Sequence, residues 1–451
     1  MHLPSYSIGS KVYDKIPEIC EPYGTKVIAI GGHKAINAAK DKIIKACEKS
    51  NLEILDFIWY GGEATYENVE ELMKNPLVQQ ADMIFTIGGG KSTDTGKSLG
   101  IKANKPVFSF PTIASNCSAC TSVSIMYYPD GRFKEPFFFA APPVHAFIDT
   151  EILVHSPSRY MWAGMGDTYA KYFESTVSSR GEALNHYTQM GVTASKMCYE
   201  PIMRYGKEAM ESNNEGKVSY AYEQVVLAII VSTGIASIFL TAEHIIDYNT
   251  GLAHAIFYSL TSYPHIEKNH LHGEVVSYGV LNLLLVDGNE EDFKKVYEFS
   301  KSVGLPTKLK DLEFDSSHLE EIAKIAVEMK DIDHNPYKIT KEMVEDAMLA
   351  RGYRRDCCII AVGGGVVTDL AGFVAGTFGR GIPFINYATT LLAAADASVG
   401  GKTAVDTPLA TNLIGLFNQP QKVYLDIATW KTLPQRQLAS GMAETIKHAC
   451  M

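Results

Sequence analysis

The chain has 451 residues, 46% hydrophobic and 20% charged, enough to bury the cores of two or three globular domains. A formal charge of −10, spread thinly along the chain, excludes nucleic acid and anionic membrane as the main partner and leaves a small-molecule substrate as the expectation. The start, MHLPSYSIGSKVYDK, lacks a basic stretch followed by an apolar one. By sequence no apolar run approaches the roughly 18–20 residues of a membrane span, so a cytoplasmic protein without a membrane partner is expected. Eight scattered cysteines in so long a chain suggest reduced thiols rather than a disulfide framework.

From 25 to 150, β-rich runs (TKVIAIGG, LEILDFIWYGG, ADMIFTIGGG, PVFSFPT) alternate with helical stretches, which predicts a parallel, Rossmann-like α/β domain over 1–157. From 158 to 347 strand signals fade and helical apolar periods dominate, which predicts a mostly helical domain. Within it, Ser317 and Glu320 have capping-box spacing ahead of the helix EEIAKIAVEMKD. Near 348 the α/β pattern returns with RRDCCIIAVGGG, so 348–451 reads as a partial second α/β unit.

The two glycine turns share one frame. IGGGKSTDTGKSLG (87–100) and AVGGGVVTDLAGFVAG (361–376) each place three glycines after an apolar strand and Thr-Asp in the following helix. In the first, Gly88, Gly89 and Gly90 let the backbone approach a pyrophosphate at a helix start, and Lys91 and Asp94 join them as cofactor-binding candidates ahead of Lys97. The second is followed by another glycine-rich loop with a lysine, ASVGGKTAVDTPLATNLIG.

FPTIASNCSACTSVSIMYYPDG (110–131), GMGDTYAKYFE (164–174) and HAIFYSLTSYPHIEKNHLHGEVVSYG follow the first turn in an order that resembles the iron-containing alcohol dehydrogenase superfamily, in its glycerol dehydrogenase branch, over 1–347. The resemblance implies metal ligands at Asp167, His254 and His272, and dinucleotide contacts at Gly90, Lys91, Thr112, Ser115, Thr121, Val123 and Tyr127. One carboxylate and two imidazoles with an open position suit a catalytic zinc. Lys171 stands where iron-binding relatives carry a further histidine, which favours Zn2+ over Fe2+. The implied activity is metal-dependent oxidation of a small alcohol or polyol: a Lewis acid favours the alkoxide, whose carbon gives hydride to NAD or NADP. A homo-oligomer is implied as well.

Two positions depart from that pattern. Cys117 replaces an aspartate that contacts the polyol, and Gly32, beside His33 and Lys34, lies where NAD-preferring relatives carry an acidic residue, so NADP is an open alternative. Cys117 and Cys120 form a single C-x-x-C, read as lining the cofactor cleft, and His244, His265 and His270 are alternative ligands by residue type.

The second glycine segment resembles dehydroquinate synthases in the version that opens pentafunctional shikimate-pathway polypeptides, through TTLLAAADASVGGKTAVDTPL and LASGMAETIKHA. That resemblance implies NAD contacts at Asp369, Thr389 and Thr390, substrate contacts at Arg380, Asp396, Lys402 and Asn412, and a zinc ligand at Glu444. Thr411 replaces a substrate-binding lysine, and two downstream histidine ligands are not found after Glu444. The segment is therefore expected to be inactive alone, with one sheet edge and face uncovered, whether it arose by fusion, by faulty gene modelling or as an appendage completed by another chain. Two further readings stay open: a dehydroquinate synthase, and a nucleotide-binding pseudoenzyme suggested by Cys117 and the appended segment.

Overall fold

In this computed structural model, which describes residues 2–48, 50–244, 248–349, 357–378, 381–407 and 410–450, the alternating runs of the first 150 residues form one parallel sheet. Its strands are β1 (Tyr6–Ile8), β2 (Lys26–Gly31), β3 (Glu53–Trp59), β4 (Met83–Gly88), β5 (Val107–Pro111) and, after the antiparallel hairpin β6 (Val123–Tyr127) and β7 (Phe133–Phe138), β8 (His145–Ile148). The sheet order is β1-β8-β5-β4-β2-β3. β4 is buried at every position and β2 at all but Lys26, as a parallel strand covered on both faces must be.

Alternate side chains supply two separate cores. Val27, Ala29, Phe85 and Ile87 face helix His33–Cys47 through Ala39 and Ile43. Ile28, Ile30 and Ile84 face helices Tyr66–Met73 and Gly90–Ala103 through Val69, Leu72 and Leu99. The chain leaves β2 for β3 on one side and later adds β4 and β5 on the other, which puts the topological switch point between β2 and β4.

Among the described residues no strand occurs from 149 to 358; helices share one large core there. Those that build the site are Ser158–Ser178, Leu252–Leu260 and His272–Val286. One sequence expectation is corrected here. Tyr220–Leu240 forms a continuous 21-residue helical run, interrupted only by a π turn at Ala228–Ser232, that is long and apolar enough to span a bilayer by length and composition alone. It is mostly buried in the protein, and Val225, Val226, Ile229 and Ile230 belong to the core, so its apolarity is that of a buried helix.

The capping box at Ser317 does not form either. Asp315 accepts from the Ser317 amide at 2.8 Å and from its hydroxyl, so the amide that Glu320 would accept in a capping box already has a charged acceptor two residues upstream.

The chain divides into two compact units, Met1–Leu349 and Ala350–Met451. The second holds a parallel sheet of β9 (Ile359–Gly363), β10 (Phe384–Ala388) and β13 (Lys422–Leu425) in the order β13-β10-β9, with helix Gly365–Thr377 following β9. The segment expected to be a glycine-rich loop is instead an antiparallel pair, β11 (Lys402–Thr407) and β12 (Ala410–Phe417), consistent with its β-branched and apolar alternation. Ile360 and Val362 on β9, and Val366, Leu370 and Val374 on the helix, are exposed.

Candidate metal and dinucleotide site

Asp167 sits mid-helix in Ser158–Ser178, His254 is the third residue of Leu252–Leu260, and His272 is the first of His272–Val286. Their meeting depends on small residues. A Cβ on Gly166 would run into the backbone carbonyl of Gly273, and one on Gly279 would lie 2.7 Å from the Cα of Ala253, so the three helices approach at backbone distance. Asp167 Oδ1 lies 3.4 Å from His272 Nε2 and 3.6 Å from His254 Nε2. All three donor atoms lie within 4.8 Å of one another, the one such cluster of His, Cys, Asp or Glu found among the described residues.

Ligands held at about 2.0–2.2 Å in a tetrahedron stand about 3.3–3.6 Å apart. The two Asp167 distances match that edge, and the mixed N/O donor set suits a divalent transition metal with a free fourth position. His254 is buried and His272 half exposed, which leaves the open side at His272.

The electrostatics are those of a tightly held carboxylate–imidazole cluster. Burial works against charge on Asp167, yet the hydrogen bonds and charges of His254 and His272 prevail and hold its carboxyl well below the usual range. Burial likewise opposes charge on His254, but Glu174 and Asp167 outweigh it and raise its pKa to about 10.

The alternative histidines go elsewhere. His270 Nδ1 is 2.8 Å from Glu274, which also accepts from the Leu271 amide. His265 packs against the Phe314 ring at 4.7 Å, and His244 stacks on Phe138 at 5.5 Å. Lys171 is buried and donates to the carbonyl of Asn249 and, at 2.9 Å, to its side-chain oxygen.

Sequence reasoning missed Glu174. It is fully buried, with Oε2 2.7 Å from His254 Nδ1 and Oε1 accepting from the amides of Gly251 and His254 at 2.9 Å each. The available signal was spacing: Asp167, Lys171 and Glu174 fall at i, i+4 and i+7, one face of one helix.

In the α/β sheet, Gly88 closes β4 with φ 141°, Gly89 caps helix Gly90–Ala103, and a Cβ on Gly90 would lie 2.5 Å from the side-chain nitrogen of Asn116. The turn thus has no room for side chains and presents bare backbone beside the switch point, a cradle for a pyrophosphate. Thr112 donates its amide to the Gly88 carbonyl at 3.2 Å, bringing the end of β5 against the turn. Ser115 is part-buried two residues before Cys117, and a Cβ on Gly164 would lie 3.1 Å from its Cα, so this loop packs on the Asp167 helix.

Lys91 pairs with Glu63 and lies over the Tyr127 ring at 5.4 Å. Asp94 points inward, 2.9 Å from Lys97 and 3.3 Å from the Ile125 amide. Lys97 also reaches the Thr121 hydroxyl at 3.2 Å and the Val123 carbonyl, so Asp94, Thr121 and Val123 fasten the helix to β6. Burial, and after it Asp167, pushes the Cys117 thiol up to about 12. His33 is exposed and stacks on Trp59 at 5.5 Å, with exposed Lys34 beside it.

In the second unit, Thr389 donates its amide to the Gly363 carbonyl at 2.9 Å, the same bond that Thr112 makes to Gly88, while the Thr390 hydroxyl accepts from the Ala393 amide. Burial, and next the charge of Asp396, raises the pKa of Asp369. Lys402 begins β11, Asn412 has φ 56° with its amide on Asp406, and Glu444 pairs with Lys447 at 2.8 Å. Arg380 lies outside the described residues.

Comparison with known proteins accords with this geometry. The sequence profile of iron-containing alcohol dehydrogenases matches residues 4–150, that of the C-terminal region of the Fe-containing alcohol dehydrogenase family residues 192–351, and that of the 3-dehydroquinate synthase N-terminal region residues 326–440. A glycerol dehydrogenase of Thermotoga maritima is 35% identical over 303 residues, 64% of this chain and 80% of its own. The crystal structure of a glycerol dehydrogenase from Schizosaccharomyces pombe superposes with a TM-score of 0.69 at 25% identity, over 78% of this chain and 89% of the other. The pentafunctional AROM polypeptide of Candida tropicalis is 53% identical over 119 residues, 26% of this chain but 8% of that protein.

Proposed function

The chain belongs to the iron-containing alcohol dehydrogenase family, among glycerol dehydrogenase-like polyol dehydrogenases, and from that premise we propose that it oxidises a small alcohol or polyol with NAD or NADP at a zinc held by Asp167, His254 and His272. The observation that carries this reading is the convergence of those three donors within 4.8 Å, with both Asp167 distances at a tetrahedral edge.

A zinc ion held by Asp167, His254 and His272 would supply Lewis acidity toward an alcohol oxygen. The protein's part is placement. Gly88, Gly89 and Gly90 offer backbone to the pyrophosphate, and Thr112 and Ser115 line the path from that turn to the Asp167 helix. A dinucleotide held there would supply the hydride acceptor for the alcohol carbon, with the hydroxyl proton released to solvent. Cys117, a neutral thiol, offers a second substrate hydroxyl no charged acceptor, which favours alcohols with fewer hydroxyls than glycerol. Exposed His33 and Lys34, with no carboxylate at 32–34, are compatible with a 2′-phosphate and support testing NADP alongside NAD.

The second unit has a reading of its own, because its glycine turn repeats the Thr-to-Gly bond of the first and its sequence is similar to a synthase segment. We read it as a dinucleotide-type half-sheet in which Glu444 pairs with Lys447 at 2.8 Å.

The test is a panel of small alcohols and diols with NAD and NADP, on zinc-loaded protein and on Asp167→Ala. Turnover lost with zinc in the variant supports the reading. Zinc-loaded protein that reduces neither cofactor with any substrate removes it.

A further inference from the structure

Glu174 uses its two oxygens for two different tasks. Oε1 accepts from the amides of Gly251 and His254, which can only donate, so that oxygen is fixed as an acceptor at the start of helix Leu252–Leu260. Oε2 lies 2.7 Å from Nδ1 of the His254 ring, and the other ring nitrogen faces Asp167. A carboxylate in this position accepts the Nδ1 proton, and an imidazole that is protonated on Nδ1 keeps its lone pair on Nε2.

We propose that Glu174 is a positioning residue that holds His254 in the Nδ1–H tautomer and ring orientation, so that Nε2 is the donor presented beside Asp167. The inference rests on the reading of Asp167, His254 and His272 as metal ligands. The helix Ser158–Ser178 then does three things along one face: Asp167 contributes a donor, Lys171 holds Asn249, and Glu174 holds both the amide and the ring of His254. Ordering the ligand before the metal arrives is what a carboxylate–histidine pair around a metal achieves.

Glu174→Gln separates positioning from mere helix capping. The two amides still require an acceptor, so the glutamine carbonyl oxygen turns to them and its NH2 faces Nδ1. The ring is then driven to accept at Nδ1 and carry its proton on Nε2, which blocks that nitrogen as a ligand. The expected result is a zinc affinity lowered about 10–100-fold in chelator competition, with circular dichroism unchanged and with wild-type dinucleotide binding.

His272→Ala is the control for the ligand reading and is expected to lose zinc. If Glu174→Gln binds zinc as tightly as wild type while His272→Ala does not, the positioning role is overturned and the ligand reading stands. If both retain zinc, both fall. A measurement independent of any variant's folding is 15N-histidine NMR of the zinc-loaded wild-type protein: a proton on His254 Nδ1 is expected, and its absence overturns the inference.

Discussion

Gly166 and Gly273 meet backbone to backbone: a Cβ on Gly166 would penetrate the Gly273 carbonyl, and one on Gly273 would penetrate that of Ala163 while lying 3.0 Å from the Asp167 Cβ. Each glycine adjoins a proposed ligand in sequence, so one close helix crossing sets the Asp167–His272 distance. Gly273→Ala is expected to cost about 1–3 kcal/mol through overpacking and to weaken zinc binding more than substitutions on the outer faces of the same helices. Thermal unfolding and chelator competition on one preparation check this; unchanged values for both would refute it.

The glycine turn after β4 carries the second expectation. Gly88 has φ 141°, and a Cβ there would crowd the Ser92 side chain, its Cβ 3.3 Å away. Gly88→Ala is expected to strain the turn by about 1–3 kcal/mol and to weaken NADH binding in fluorescence titration while leaving zinc content intact. Equal loss of zinc would mean that the substitution disturbs the whole unit.

Much of this site was legible in the residue pattern. Strand, glycine turn and helix around 83–103 announce themselves by composition, and the resemblance points to Asp167, His254 and His272, which the fold brings together, ahead of three other histidines. Glu174 was not found, because its partner lies 80 positions away and its burial is a property of packing. Asp94 reads in sequence as a cofactor contact, yet folding turns it onto Lys97. The helix Tyr220–Leu240 shows the limit of composition, since burial in protein and burial in lipid select the same residues.

Acid should loosen the sheet edge. His145 Nδ1 is 2.8 Å from the Ser5 hydroxyl and Nε2 3.0 Å from that of Ser7, tying β1 to β8. Burial first, then the charge of Lys15, lowers its pKa to about 4. The unfolded chain takes up this proton near pH 6.5, well before the folded one does, so His145 contributes stability above about 6.5 that is lost as pH falls toward 4. Thermal midpoints between pH 7 and 4 are expected to fall less steeply in His145→Gln; equal slopes would exclude this histidine as a cause.

Cys117→Asp is expected to raise kcat/KM for glycerol relative to a monohydric alcohol, by placing a charged acceptor near Asp167 and Lys171. A ratio of specificity constants that does not move would show that position 117 does not read the second hydroxyl.

The central claim is that a metal held by Asp167, His254 and His272 drives dinucleotide-linked alcohol oxidation. Its most direct test is zinc content and NAD or NADP reduction, measured together on wild type, Asp167→Ala and His272→Ala across the alcohol panel. The account expects about one tightly held zinc per chain and turnover in the wild type, with both lost in each variant. Turnover that persists in either variant after zinc is gone would contradict it.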